Sequence, residues 1–161
     1  MSKIKELLRA DDSVLVFDID GVLALSEFGE YNHFGLYDRD WFEACEKGIN
    51  AYDETCVIKK MQDFLKTKDM SRIYVISKVG HINEEKFKKE YCMKYYNIPE
   101  ENVYSVYHED KKAGIMEQIC NKYPELDRKK IAMIEDTVRT LTDIMEKVNC
   151  ATIHISSFLD L

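Results

Sequence analysis

The sequence has no apolar stretch approaching the roughly 18 uninterrupted residues that a membrane-spanning helix needs. Its first ten residues, MSKIKELLRA, set charges among the apolar positions and so lack the continuous core of a signal peptide. A cytoplasmic protein without membrane association is therefore expected. No CxxC pair occurs among the five cysteines (Cys45, Cys56, Cys92, Cys120 and Cys150). Their scatter and odd number argue against a zinc site or a disulfide framework, and they read as reduced thiols in a core. Basic residues are outnumbered, 23 Lys and Arg against 30 Asp and Glu, for a formal charge of −7. That balance argues against broad, non-specific affinity for nucleic acid, which rests on counterions released around clustered cations. Prolines number two and glycines six, and no repeat, low-complexity tract or linker divides the chain. Its 161 residues are expected to form one domain, 1–161, large enough for a continuous core.

What the sequence does have is alternation between short apolar runs and helix-period segments. The runs are Val14–Phe17, Ile73–Ile76, Val103–Tyr107, Ile131–Ile134 and Ala151–Ile155. They are rich in Val, Ile and Tyr, and most lack polar alternation, as strands covered on both faces do. An opening helix over Ser2–Arg9 carries Ile4, Leu7 and Leu8. A second stripe, Val57, Ile58, Met61, Phe64 and Leu65, reads as a helix opened by Asp53 and Glu54. Phe87, Tyr91 and Tyr95 follow Asn83, Glu84 and Glu85, and that helix is ended by Asn97 and Pro99. Further stripes are Ile115, Met116, Ile119 and Tyr123, then Val138, Leu141, Ile144, Met145 and Val148, stopped near Asn149. The pattern predicts an α/β fold: a three-layer, doubly wound, parallel five-stranded sheet with right-handed crossovers. In such a sheet, function collects at the carboxyl ends of the strands.

One stretch breaks the alternation. Residues 26–50, SEFGEYNHFGLYDRDWFEACEKGIN, mix aromatics, charges and three glycines. They are too many for a turn and too few for a second domain, and read as a flap or minimal cap over the strand ends. Within it, Tyr31, His33, Arg39 and Trp41 are candidates to touch a substrate. A self-packed loop with solvated charges is the plainer reading of the same residues.

The strand ends carry the chemistry. The first ends in Asp18-Ile19-Asp20-Gly21, which sets two carboxylates on one side of an extended chain. Like charges ~4 Å apart repel by about 4 kcal/mol at an effective dielectric of ~20, so such a pair calls for a cation or a retained proton. The second strand ends at Ser77, whose hydroxyl is able to donate to a phosphoryl oxygen, although serine also caps helices. After the third come Lys111 and Lys112, and the fourth runs into Glu135-Asp136-Thr137. Hard oxygen ligands of this kind suit Mg²⁺, which keeps several waters and takes phosphate oxygens. His81, His108 and His154 show no ligand spacing and read as ordinary residues.

Taken in order, these motifs resemble those of the haloacid dehalogenase-like (HAD) phosphatase superfamily. VLVFDIDGVL is similar to its first motif, IYVIS to the second, Lys112 to the third and IAMIEDT to the acidic fourth. Lys112 is preferred to Lys111 because Ile115, Met116 and Ile119 follow it at the family's spacing. The resemblance implies a magnesium-dependent phosphomonoester hydrolase with a minimal cap. Asp18 would be the nucleophile that carries an aspartyl phosphate, and Asp20 the general acid and base. The Asp18 carboxylate, the Asp20 backbone carbonyl and Asp136 would hold Mg²⁺, with Glu135 behind it or on a metal water. Ser77 and Lys112 would bind the phosphoryl group.

An aspartate two residues after the nucleophile favours phosphatase or mutase chemistry over the family's dehalogenases and ATPases. A short insert leaves the leaving group unenclosed, so the implied partner is a phosphorylated substrate, small or extended, met by a monomer. Nucleotides and polynucleotide 3′-phosphates belong to that range. However, Lys78-Val79-Gly80 follows Ser77 where polynucleotide phosphatases commonly have Gly-Arg. The alternatives are a domain that binds phosphorylated partners with little turnover, or a receiver-like domain. A receiver needs a phospho-accepting aspartate at the end of its third strand, where this sequence reads VYSVYHED.

Overall fold

The computed structural model describes residues 3–25 and 38–159. Along the chain lie α1 (Lys3–Arg9), β1 (Val14–Phe17), β2 (Ala24–Leu25), α2 (Asp38–Glu46), β3 (Cys56–Val57) and α3 (Lys59–Leu65). They are followed by β4 (Ile73–Lys78), α4 (Ile82–Tyr96), β5 (Val103–Val106), α5 (Lys112–Asn121), β6 (Ile131–Glu135), α6 (Val138–Val148) and β7 (Ala151–His154). Five strands form one parallel sheet in the order β5-β4-β1-β6-β7. The chain winds outward from β1 to β5, then returns to add β6 and β7 on the other side. That is a doubly wound arrangement, and its switch in direction lies beside β1.

The unbroken apolar run of β1 follows from burial on both faces. Leu15 and Phe17 point to one side, where they pack with Ile73, Val75, Phe87, Tyr91 and Ile134. Val14 and Val16 point to the other, with Met116, Ile119, Met133, Leu141 and Ile144. Two-residue alternation thus feeds two cores, one under α1, α3 and α4, the other under α5 and α6. The helix ends match the sequence: Asn97 and Asn149 sit in the left-handed region with φ of 54° and 57°. Their N–H groups donate to Met93 and Met145 carbonyls, each at 3.2 Å. Cys45, Cys92, Cys120 and Cys150 are buried thiols and Cys56 is half-buried; none is paired in a disulfide.

One expectation needs correction. The helix read as opening at Asp53 begins only at Lys59, because Ala51–Glu54 form a 3₁₀ turn and Cys56–Val57 a strand. That strand pairs antiparallel with Ala24–Leu25, so tertiary pairing overrides the helical spacing of Val57 and Ile58. The pair brackets an insert of residues 26–55, which takes in the expected flap over 26–50 and the 3₁₀ turn after it. Tyr31 and His33 lie outside the described residues, as does the side chain of Arg39. His81 caps α4, its Nδ1 accepting the Asn83 N–H at 3.1 Å.

The base of the insert is fastened to α4. Tyr96 Oη donates to the Leu23 carbonyl at 2.5 Å and accepts the Ile58 N–H at 3.3 Å, while Tyr91 Oη reaches the same carbonyl at 3.2 Å. Removing the Tyr96 phenol strands the Ile58 N–H in a buried setting. Tyr96→Phe should therefore destabilise the protein by about 1–3 kcal/mol, read as a lower urea midpoint with an unchanged slope. A midpoint equal to wild type would show that these bonds contribute nothing.

Candidate active site

The segment after β1 folds tightly on itself. Asp18 N–H donates to the Ile134 carbonyl at 3.0 Å and so extends the ladder toward β6. The N–H groups of Val22, Leu23 and Ala24 then converge on the Ile19 carbonyl at 3.1, 2.8 and 2.9 Å. Between them Gly21 takes a φ of +75°, and a Cβ placed there would lie 2.3 Å from Asp136 Oδ2. Glycine is required twice over here, by backbone conformation and by the close approach of the acidic loop after β6.

That approach brings together carboxylates more than a hundred residues apart. One oxygen from each of Asp18, Glu135 and Asp136 lies within 4.8 Å of the others. Lys112, at the start of α5, enters from the other side and is 1% exposed. Its Nζ reaches Asp18 Oδ2 at 3.0 Å, Glu135 Oε2 at 2.8 Å and Glu109 Oε2 at 3.1 Å. Lys111 instead is exposed and pairs with Asp110 at 3.6 Å. Burial raises the Asp18 carboxyl above its ordinary value, against the pull of Lys112. Glu135 is raised for the same reason, with Asp18 adding to the effect. Burial opposes the charge of Lys112, yet Asp18 and Glu135 hold its ammonium above the usual lysine value. Asp18 Oδ1 is buried and has no hydrogen-bond partner among the described residues.

The acidic loop is braced in turn. Glu135 Oε1 accepts the N–H groups of Asp136 and Thr137 at 3.1 and 3.2 Å. His154, read from sequence as ordinary, bonds the Asp136 carbonyl through Nε2 at 2.9 Å and Ser156 Oγ through Nδ1 at 2.8 Å.

Asp20 faces a different set of groups. Its side chain is 56% exposed and is not one of the acidic trio. Tyr52 Oη donates to Oδ1 at 2.7 Å and Lys88 Nζ to Oδ2 at 2.8 Å. Lys88, buried on α4, also reaches Ser77 Oγ at 3.0 Å, Glu84 Oε1 at 3.1 Å and the Lys78 carbonyl. Glu84 turns its other oxygen to the Gly80 N–H at 2.7 Å. Burial, then the Asp20 carboxylate, lifts the Tyr52 phenol well above its ordinary value, so it keeps its proton. Burial works against the Lys88 charge, but Asp20 and Glu84 more than restore it.

Tyr52, Glu84 and Lys88 escaped the sequence reading. The signal for the last two is an acid and a base four apart on the stripe of Tyr91 and Cys92. It is masked because Glu85–Lys89 and Lys86–Glu90 repeat the same spacing on the outer faces. Above these residues opens a cavity of about 640 Å³, bounded by Asp18, Asp20, Ser77 and Asp136 and, from α2, by Trp41 and Phe42. Trp41 stands edge-on to Tyr52 at 5.2 Å and Phe42 edge-on to His81 at 5.6 Å. Asn83 Nδ2 donates to the Cys45 carbonyl at 2.8 Å and fastens the end of α2.

No protein-family profile matches the sequence, and no curated protein matches it. Among solved structures, DsGPDH of Dunaliella salina is similar with a TM-score of 0.58 and 15% identity, covering 94% of this chain and 25% of that one. The chain thus spans a quarter of the length of that protein. The HAD domain of effector protein Lem4 from Legionella pneumophila gives a TM-score of 0.45 and 8% identity over 88% of this chain and 84% of that one. At such identities the likeness to the first is one of fold. The chain is a three-layer α/β protein whose carboxylates gather at the carboxyl ends of a parallel five-stranded sheet.

Proposed function

We propose that the chain is a magnesium-dependent phosphomonoester hydrolase that works through an aspartyl phosphate on Asp18, under a minimal cap formed by the insert. The observation that carries this reading is the buried, partnerless Asp18 Oδ1 beside two further carboxylates. An acceptor so buried costs at least about 1–3 kcal/mol unless something meets it. Asp18, Glu109 and Glu135 share one ammonium and Asp136 adjoins two of them, and a divalent cation with oxygen preference fits that deficit. Asp18, the Asp20 carbonyl and Asp136 would hold it, with Glu135 behind. Bound there, Mg²⁺ would lessen the repulsion between an anionic nucleophile and an anionic phosphate.

The chain's own groups then divide the work. Lys112 meets three carboxylates, of which half-exposed Glu109 is the one a phosphoryl oxygen displaces most easily. Ser77 accepts from Lys88, which leaves its own hydroxyl hydrogen to donate to the phosphoryl group. An Asp18 oxygen forms a bond to phosphorus as the bond to the leaving oxygen breaks, and Asp20 gives that oxygen a proton. In the second step water attacks the same phosphorus, Asp20 takes its proton, and the bond to Asp18 breaks to release inorganic phosphate.

The reading is tested with an aryl phosphate and Mg²⁺. Asp18→Asn should lower kcat by at least about a thousandfold, as loss of a covalent nucleophile does; turnover near wild type would refute the assignment. For Asp136→Ala, titration of Mg²⁺ against rate should give a half-maximal concentration at least about tenfold higher, and an unchanged curve removes Asp136 from the metal site. Gly21→Ala forces a Cβ into Asp136 and strains the backbone by about 1–2 kcal/mol. It should therefore lower both thermal stability and Mg²⁺ affinity, whereas a loss of stability alone would separate Gly21 from the site.

A further inference from the structure

The geometry points to Tyr52 and Lys88 as a two-sided clamp that positions Asp20 and makes its Oδ1 the oxygen that gives and takes the proton. The inference rests on the hydrolase reading above and adds to it two residues that no motif assigns.

A general acid must hold its proton close to the leaving oxygen, and a misplacement of ~1 Å costs as much as a hundredfold in rate. More than half of the Asp20 side chain is open to solvent, so packing alone does not hold its carboxylate. Its two oxygens are instead each taken by a donor, the Tyr52 phenol at 2.7 Å and the Lys88 ammonium at 2.8 Å. Both donors are themselves fixed. Tyr52 is 2% exposed, with its ring against Trp41 and against Tyr91 at 5.5 Å. Its backbone N–H donates to Asn50 Oδ1 at 3.0 Å, and its carbonyl accepts Thr55 Oγ1 at 2.9 Å. Lys88 is 1% exposed and held by Ser77, Glu84 and the Lys78 carbonyl as well as by Asp20.

The two donors are chemically unequal. An ammonium only donates, so of the two Asp20 oxygens it favours the one that stays unprotonated and is the better acceptor. A phenol both donates and accepts. It gives its hydrogen to the Asp20 carboxylate, and it is able to accept from the protonated carboxyl until that hydrogen turns to the leaving oxygen. The proton therefore belongs on Oδ1, beside Tyr52, and Oδ2 stays an acceptor of Lys88 through both half-reactions. Ser77 shares the Lys88 anchor, so the hydroxyl that holds the phosphoryl group and the acid that protonates the leaving oxygen are set from one point. Tyr52 belongs to the insert, and its ring rests on Trp41 of α2. The seating of the insert is thereby coupled to the aim of Asp20.

The test compares an alkyl phosphate, which needs its leaving oxygen protonated, with p-nitrophenyl phosphate, whose leaving group departs without that help. Tyr52→Phe keeps the packed ring and removes only the bond to Oδ1. With the alkyl phosphate its kcat should fall about ten- to a hundredfold while KM changes less than about twofold. With p-nitrophenyl phosphate, the rapid burst that reports phosphoenzyme formation should keep its rate, and only the following steady state, limited by phosphoenzyme hydrolysis, should slow. Lys88→Gln, which also loosens Ser77, should slow alkyl turnover more than it slows the burst. A burst slowed as much as alkyl turnover, or alkyl turnover unchanged, in an otherwise active enzyme overturns the clamp and leaves the hydrolase reading intact. Wild-type protein that turns over neither phosphate with Mg²⁺ overturns the hydrolase reading itself, and the clamp with it.

Discussion

The site is organised around an imbalance of buried charge. At the carboxyl ends of β1 and β6, Asp18, Glu135 and Asp136 meet, and the single Lys112 ammonium is shared by Asp18, Glu135 and Glu109. Carboxylates in such a setting tolerate their charge only where a cation or a set of donors meets each oxygen. Glu135 is met by Lys112 and two backbone N–H groups. Asp18 has one oxygen met and the other bare. The neighbouring architecture serves this imbalance: Gly21 lets the acidic loop come close, and His154 ties down its carbonyl.

The sheet delivers these groups because its topology reverses beside β1. β4 and β6 flank β1 on opposite sides, so the segments leaving the three strands converge on one rim from both directions. Ser77 comes from β4, the two aspartates follow β1, and Glu135 and Asp136 close the far side. Lys112 joins from the helix after the edge strand β5. A residue on any one of these strand ends has a direct line to the others, and no domain closure is needed to assemble them.

Much of this was legible because strand-end motifs are local. A buried apolar run followed by Asp-Ile-Asp-Gly brings its carboxylates to a strand end, as IAMI does for Glu135 and Asp136, although Asp18 turns to the acidic trio and Asp20 to Tyr52 and Lys88. The five strands of the parallel sheet and the helices that cross between them were equally legible from their periods, whereas α2, β2 and β3 were not. What stayed hidden depends on tertiary placement. Three interleaved acid–base pairs occupy α4, and only Glu84–Lys88 turns inward, a choice made by the helix's rotation on the sheet. Tyr52 lies in a stretch whose helical spacing was misleading, because pairing of Cys56–Val57 with Ala24–Leu25 reshapes the chain before α3. Pattern reading finds faces of elements, but it does not find which side chain reaches across from an insert.

Two buried lysines frame the site, and their different surroundings separate their tasks. Lys112 faces three carboxylates, two of them buried, so its chief effect is to lower negative charge where phosphate would arrive. Lys88 faces Asp20 and Glu84, with a hydroxyl and a carbonyl completing its shell. An ammonium so enclosed has little attraction left for a further anion, and its effect is geometric. Removing either would leave buried carboxylates short of a partner, at a cost of about 3–5 kcal/mol when a buried pair is broken. Stability measurements therefore cannot tell the two lysines apart. Chemistry can: neutralising phosphate is felt by every substrate, whereas aiming a proton donor is felt in proportion to how much the leaving oxygen needs its proton.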